Sequence, residues 1–337
     1  MSGAVVNTAV DRARVPRPSS EATAFHVALP GYAPTPLREL SDVAAELGLG
    51  AVLIKDESDR LGLPAFKILG ASWAVERALR EAPDTRTLIA ASAGNHGRAV
   101  ARVAAMRGLG CRIFLPARSQ PGRRDAIAAE GAEVVVVDGD YEDAVARADA
   151  TRTAPGALVI ADVGDSAPAH WVIDGYATLF VEAAEQAAYD LLIVPVGVGS
   201  LAAAAARHGA ERNIPVIAAE PATAACLTTS LAAGQPVAVP NPGTIMAGLD
   251  CAEVSPAAWP SLHRGIAGAV TVDDAAANAA MAELDRAGLR IGECGAAPLA
   301  ALRRLIGHPQ CAPLRAAVGA GRTTTALLIA TEGRTSE

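Results

Sequence analysis

The sequence has no Cys-x-x-Cys pair, and its five cysteines, Cys111, Cys226, Cys251, Cys294 and Cys311, are odd in number and widely spaced. That argues against a zinc ribbon or a disulfide framework and makes a reducing cytoplasm the expected compartment. Positive charge is also scarce: 29 Lys and Arg face 36 Asp and Glu, a net charge of -7. No basic face is available to follow a nucleic-acid backbone or an anionic membrane, so a small molecule is the expected partner. The N-terminus "MSGAVVNTAVDRARVPRPSS" lacks the apolar core of a leader, and no run reaches the roughly 18 apolar residues of a membrane span. The chain reads as soluble and unprocessed, with residues 1–22 as a loose, proline-containing arm. No His, Cys and carboxylate cluster has catalytic zinc spacing, so no metal is expected.

What is present is apolar and organised. Hydrophobic residues, dominated by alanine, make up 51% of the 337 and charged residues 19%, enough for two ordinary domains or one large α/β unit with a subdomain. Short runs such as "AVLIKD", "TLIAAS", "CRIFLP", "AEVVVVDG", "LVIADV", "LLIVPV", "PVIAAE" and "ALLIAT" alternate with Ala-rich helical stretches at 98–107, 121–130, 141–150, 174–187 and 201–208. Each run is continuously apolar rather than alternating, the pattern of parallel strands covered by helices on both faces. No internal repeat of fixed period appears.

In such sheets ligands collect beyond the carboxyl ends of the strands, and three corners stand out there. "ASAGNHGRAVA" sets Ser92, Ala93, Gly94, Asn95 and His96 at a helix start, where backbone N–H groups can hold a carboxylate. His96 is expected to shape this loop rather than to do chemistry. "VPVGVGSLAAA" places Gly197, Val198, Gly199, Ser200 and Leu201 where exposed amides can hold a phosphate. Gly197, Gly199 and Ala202 also satisfy a relaxed dinucleotide-binding pattern, with Glu220 about twenty residues on as a ribose-binding acid. That rival leaves the third corner, "GLPAFKILGAS", without a role. Lys67 sits there among Phe66, Ile68 and Leu69, and loss of water should lower its pKa and free a nucleophilic amine. Lys55 is followed by Asp56 and Glu57 and suits a surface lysine with its head in water.

A buried amine, a carboxylate loop and a phosphate loop together describe pyridoxal 5'-phosphate (PLP) binding an amino acid. The sequence resembles the fold type II PLP enzymes, most closely the diaminopropionate ammonia-lyase branch, through "KDES", "GLPAFKILGAS", "GNHGRAVA", "GYATL", "VGVGSLA", "AAEP", "TIMAGLDCAE", "GECGA" and "TEG". These motifs run in the family's order over nearly the whole chain. The resemblance implies an α/β fold of two parallel-sheet, three-layer domains with the cofactor in the cleft between them. A smaller domain, 71–174, would be inserted into a larger one made of 1–70 and 175–337. It further implies a cytoplasmic homodimer.

Carried over by position, the resemblance makes Lys67 the Schiff-base lysine, with Phe66 beside it in the cofactor site. Asn95 would bond the cofactor's 3'-oxygen, Gly197, Val198, Gly199, Ser200 and Leu201 would cradle the phosphate, and Thr331 would meet the pyridine nitrogen. Ser92, Ala93 and Gly94 would receive the substrate carboxylate. The implied reaction is β-elimination from a 3-substituted alanine, 2,3-diaminopropionate first, to pyruvate and ammonia, with Lys67 removing the α-proton. L-Serine or L-threonine dehydration and β-replacement are the alternatives. A leaving amine needs a carboxylate to hold it as ammonium, and Asp162, in "VIADVG", is the candidate in the substrate pocket. The chain departs from the family in having Ala93 where those lyases carry an aspartate associated with the D-isomer, so a preference for L-substrates is expected. Cys294 stands where the family has serine, and "VGDSAPAHW" is shorter and less aromatic than the family pattern.

Overall fold

Strands and helices alternate along the chain in the computed structural model, which describes residues 3–334. Residues 1–2 of the expected arm and 335–337 lie outside the described residues. The strands are β1 (Ala4–Val6), β2 (Leu37–Glu39), β3 (Ala51–Asp56), β4 (Thr87–Ala91), β5 (Gly110–Pro116), β6 (Glu133–Val137), β7 (Ala157–Val159), β8 (Leu191–Pro195), β9 (Val216–Pro221), β10 (Ile266–Val272) and β11 (Thr325–Ala330). They form a seven-stranded sheet in the order β1-β10-β9-β8-β11-β3-β2 and a four-stranded sheet in the order β6-β5-β4-β7. The four-stranded sheet is parallel throughout, and the larger sheet is parallel except at its edges, β1 and β2.

The arm expected to be loose is structured where it is described. Ala4–Val6 pairs antiparallel with β10, and Glu21–Val27 is a helix whose His26 is buried against Leu69, Ser72 and Thr178. The polar and proline-rich composition hid a three-residue strand, too short to show a period. β2 and β10 also carried no sequence signal, and β7 stops at Val159, so Asp162 lies three residues past its end.

Central strands β8 and β9 are buried along their whole length, which explains their unbroken apolar runs. The alanine excess has a location: helix Ser200–Arg212 is buried from Ser200 through Gly209, and small side chains allow a helix to be enclosed on all sides. The helix that begins at Lys67 runs to Glu81 and packs on helices Asn95–Arg107 and Ala167–Gly175. Its approach to the latter needs two glycines. A Cβ on Gly70 would stand 2.6 Å from the Tyr176 ring, and one on Gly175 would stand 2.6 Å from the Leu69 carbonyl oxygen. This crossing carries Tyr176 to the start of the helix, beside Phe66 and Lys67.

Candidate active site

Every corner singled out in the sequence follows a parallel strand, and three side-chain bonds tie the strand ends of the two sheets together. Lys67, beyond β3, donates from Nζ to Asp162 Oδ2 at 3.0 Å, beyond β7. Asn95, beyond β4, donates from Nδ2 to Glu332 Oε2 at 2.7 Å, beyond β11. Ser200, beyond β8, donates from Oγ to the Asp162 carbonyl oxygen at 3.1 Å. The loops thus meet in one cleft between the sheets.

Lys67 is the first residue of its helix, while Ile68 and Leu69 are fully buried. Its side chain keeps 25% exposure, and its Nζ lies 5.6 Å from the Phe66 ring centre and 6.0 Å from that of Tyr176. Burial opposes the charge, as the sequence implied, but Tyr176 and Asp162 outweigh it and hold the amine protonated above the ordinary lysine range. The expected fall in pKa is therefore reversed in the free protein. The apolar neighbours are local, whereas the carboxylate that stabilises the ammonium is 95 residues away in sequence.

Burial alone would raise the Asp162 carboxyl, but His96 and Lys67 overcome it and bring it down to about 2. The His96 ring is buried under the loop, Nε2 bonds the Ile160 carbonyl oxygen at 3.0 Å, and Nδ1 faces Asp162 Oδ2 at 3.7 Å. Ser92, Ala93 and Gly94 form a half-exposed bend before helix Asn95–Arg107. Gly94 N–H donates to Ser92 Oγ there at 3.3 Å. Ala93 offers no side-chain acid or base.

The glycine-rich loop leads directly into helix Ser200–Arg212. Gly199 has φ +99°, a conformation that other residues rarely adopt, and a Cβ there would press on the Leu262 side chain at 2.6 Å. The amides that follow have no partner within the helix's first turn and carry its positive dipole end. Glu220, which the dinucleotide reading required for a ribose, is already used: its carboxylate accepts from Leu227 N, Thr228 N and Thr228 Oγ1, each at 2.7 Å. It caps helix Cys226–Ala233, which removes that rival.

Thr331 follows β11 directly, and its Oγ1 is buried without a hydrogen-bond partner among the described residues. This orphan hydroxyl, the Gly199 cradle at a helix start and the Lys67 amine at the cleft suit a group with an aldehyde, a phosphate and a ring nitrogen, which is the donor set PLP requires. Four residues near the site had no role from the sequence: Tyr141, Tyr176, Cys251 and Glu332. Burial raises the Tyr176 hydroxyl and the Cys251 thiol each to about 12. Only their motifs, "GYATL", "TIMAGLDCAE" and "TEG", gave a signal, and Tyr141 gave none.

Lys55, read as a surface lysine, is fully buried. Its Nζ donates to Thr35 O at 2.7 Å and Gln186 Oε1 at 2.8 Å, and pairs with Glu182 Oε2 at 2.8 Å. Glu57, its close neighbour in sequence, turns instead to Arg60.

A profile described as "Pyridoxal-phosphate dependent enzyme" matches residues 28–317. The chain therefore belongs to the pyridoxal-phosphate-dependent enzymes, and its two parallel sheets are those of fold type II. Within that class, it is 35% identical to the diaminopropionate ammonia-lyase of Salmonella typhimurium over 94% of this chain and 89% of that enzyme. The crystal structure of diaminopropionate ammonia lyase from Escherichia coli, in complex with an aminoacrylate-PLP azomethine reaction intermediate, superposes with a TM-score of 0.89 at 31% identity, covering 98% of this chain and 93% of that one. The Escherichia coli biosynthetic L-threonine dehydratase is 31% identical over 81% of this chain and 52% of that enzyme.

Proposed function

We propose that this protein is a PLP-dependent ammonia-lyase that removes the β-amine of L-2,3-diaminopropionate and releases pyruvate and ammonia. The observation that carries the reading is the Lys67–Asp162 pair at 3.0 Å, an amine and a carboxylate on opposite walls of one cleft. Bound PLP withdraws electrons from the substrate α-carbon, so that an α-proton and a β-substituent can leave.

The chain's own residues supply the rest. Lys67 would hold the cofactor through its amine, and its freed amine is the base placed to take the α-proton. The backbone from Gly197 through Val198, Gly199, Ser200 and Leu201 would hold the phosphate, Phe66 would border the ring, Asn95 would donate to the 3'-oxygen, and Thr331 would present its hydroxyl to the ring nitrogen. Ser92, Ala93 and Gly94 hold the substrate carboxylate. Asp162, kept ionised beside His96, binds the β-ammonium and keeps it protonated until it departs. Ala93 brings no side-chain acid or base to the Ser92–Gly94 bend, and on that ground the L-isomer is the substrate. Residues 71–174 act as a small domain inserted into the large one of 1–70 and 175–337, and the working form is a cytoplasmic homodimer, checked by sedimentation and fractionation.

The experiment is a product analysis. Purified protein is given L- and D-2,3-diaminopropionate, L-serine and L-threonine, and keto acid, ammonia and any new amino acid are measured together. Turnover of L-diaminopropionate above the others supports the lyase. Keto acid from L-serine or L-threonine alone would replace it with a dehydratase. A new amino acid formed with an added nucleophile would replace it with β-replacement, and equal D- and L-turnover would remove the role given to Ala93.

A further inference from the structure

Glu332 follows Thr331 in the chain and has no part in the reaction as set out above. Its surroundings are nonetheless closely built. Its backbone carbonyl accepts from Gly292 N at 3.0 Å, and bridges from Ala65 to Glu332 and from Ile291 to Gly333 pin the segment on both sides. Its carboxyl lies at the start of helix Glu293–Gly307, where the Cys294 thiol and backbone N–H face it. The Asn95 amide meets it from the other sheet, at 2.7 Å. Burial raises the Glu332 carboxyl, Glu293 adds to the rise, and Cys294 and Asn95 work against it.

A side-chain amide has a donor end and an acceptor end of nearly the same shape, so its neighbours decide which way it points. Glu332 Oε2 accepts from Asn95 Nδ2 at 2.7 Å, which turns the amide nitrogen toward Glu332, uses one N–H, and leaves the second N–H in the amide plane at a set angle. We propose that Glu332 is a positioning residue that locks the Asn95 amide so that its free N–H is the donor to the cofactor's 3'-oxygen. The proposal rests on the reading of Asn95 given above. Because Glu332 adjoins Thr331, one short segment then sets the partners of both the ring nitrogen and the 3'-oxygen. It also accounts for Cys294, whose thiol can donate to Glu332 much as a serine hydroxyl would.

The test is a double-mutant cycle read on cofactor binding and colour rather than on turnover. Apoproteins of the wild type, Asn95→Ala, Glu332→Ala, Glu332→Gln and the Asn95→Ala/Glu332→Ala double variant are dialysed against PLP. The absorbance of the bound cofactor is then followed from about pH 6 to pH 9. Glu332→Ala should weaken binding about tenfold and displace the absorbance in the same sense as Asn95→Ala, and the double variant should be no worse than Asn95→Ala alone. Glu332→Gln, which can still accept through its carbonyl, should recover most of the loss. Additive effects, or a wild-type spectrum in Glu332→Ala, would overturn the proposal. An unchanged Asn95→Ala would overturn the Asn95 assignment beneath it, which separates the two failures. If Glu332→Ala does not fold, side-chain amide NMR of the wild-type holoenzyme decides. One Asn95 hydrogen should be protected from exchange and the other should shift when the cofactor is reduced; two equally fast-exchanging hydrogens would contradict the lock.

Discussion

Lys55 and Lys67 are twelve positions apart, and both lose most of their water, yet they end in opposite conditions. Lys55 has an acceptor for each of its three N–H bonds, at 2.7, 2.8 and 2.8 Å, inside a network in which Arg60 binds Glu57 and Glu182. Lys67 bonds Asp162, lies 6.0 Å from the centre of the Tyr176 ring, and keeps part of its side chain open to the cleft. A saturated buried ammonium is a fixed strut, because moving it breaks several charge-assisted bonds at once. Lys67 instead turns hydrogens to the cleft, and it becomes a nucleophile only once it gives up the proton that Asp162 favours. Burial by itself does not free a lysine for chemistry; it also needs room to move and a way to shed its proton.

The largest effect should come from the reactive member. Lys67→Ala should keep the fold and lose turnover by more than about a thousandfold, a barrier increase of roughly 4 kcal/mol. Borohydride should attach the cofactor to Lys67 alone in the wild type, read by peptide mass spectrometry, and label on Lys55 would collapse the contrast. The fixed member should fail in the other way. Lys55→Met leaves Glu182 short of a cation and should cost about 3 kcal/mol in urea unfolding, while the protein that remains folded still binds PLP through Lys67. Equal loss of stability in both variants would mean that the two lysines do not differ as described.

Asp162→Asn sharpens the comparison at the partner. It should lower kcat for L-2,3-diaminopropionate at least tenfold more than for L-serine, about 1.4 kcal/mol, since only the amine must be held as ammonium. Equal losses on the two substrates would leave Asp162 a structural anchor for Lys67 and nothing more.

The smallest effect concerns Glu220, a buried carboxylate with acceptor bonds but no cation. Burial raises it from 4.5 to about 7, against the pull of Thr228 and Leu227. The folded protein therefore holds a proton there that the unfolded chain releases near 4.5. The stabilisation is complete below that value and is lost as pH rises through about 7. Glu220→Gln will start out weaker, because its NH2 faces donors, but the stability gap to wild type should shrink by about 1 kcal/mol or more between pH 5 and pH 7.5. A gap that does not change with pH would show that Glu220 is ionised throughout, as Glu182 is in the Lys55 network.

Much of this arrangement was legible in the chain. Unbroken apolar runs identified eight of the strands, because a strand covered on both faces leaves no polar alternation. The loops at 92–97 and 197–201 were visible because glycine and small residues before a helix have few other uses. The misses have a common cause. Lys55 looked like a surface lysine and Lys67 like a depressed amine, since in each case the neighbours in sequence were taken as the neighbours in space. The charges that decide the matter, Glu182 and Asp162, lie 127 and 95 residues away. Glu220 misled for the same reason, as its partners follow it on the next helix rather than on a bound ribose.

The sequence by itself determined the class of fold, the order of its corners and the residue types that each corner offers, because periodicity, glycine placement and helix starts are local properties. Tertiary structure alone decided the charge state of Lys67, the burial of Lys55, the orientation of Asn95 toward Glu332 and the closeness of His96 to Asp162. Each of these depends on which strand ends the two sheets bring together. Electrostatic and hydrogen-bond energies follow distance in space, and the chain's order does not encode that distance where it crosses between sheets.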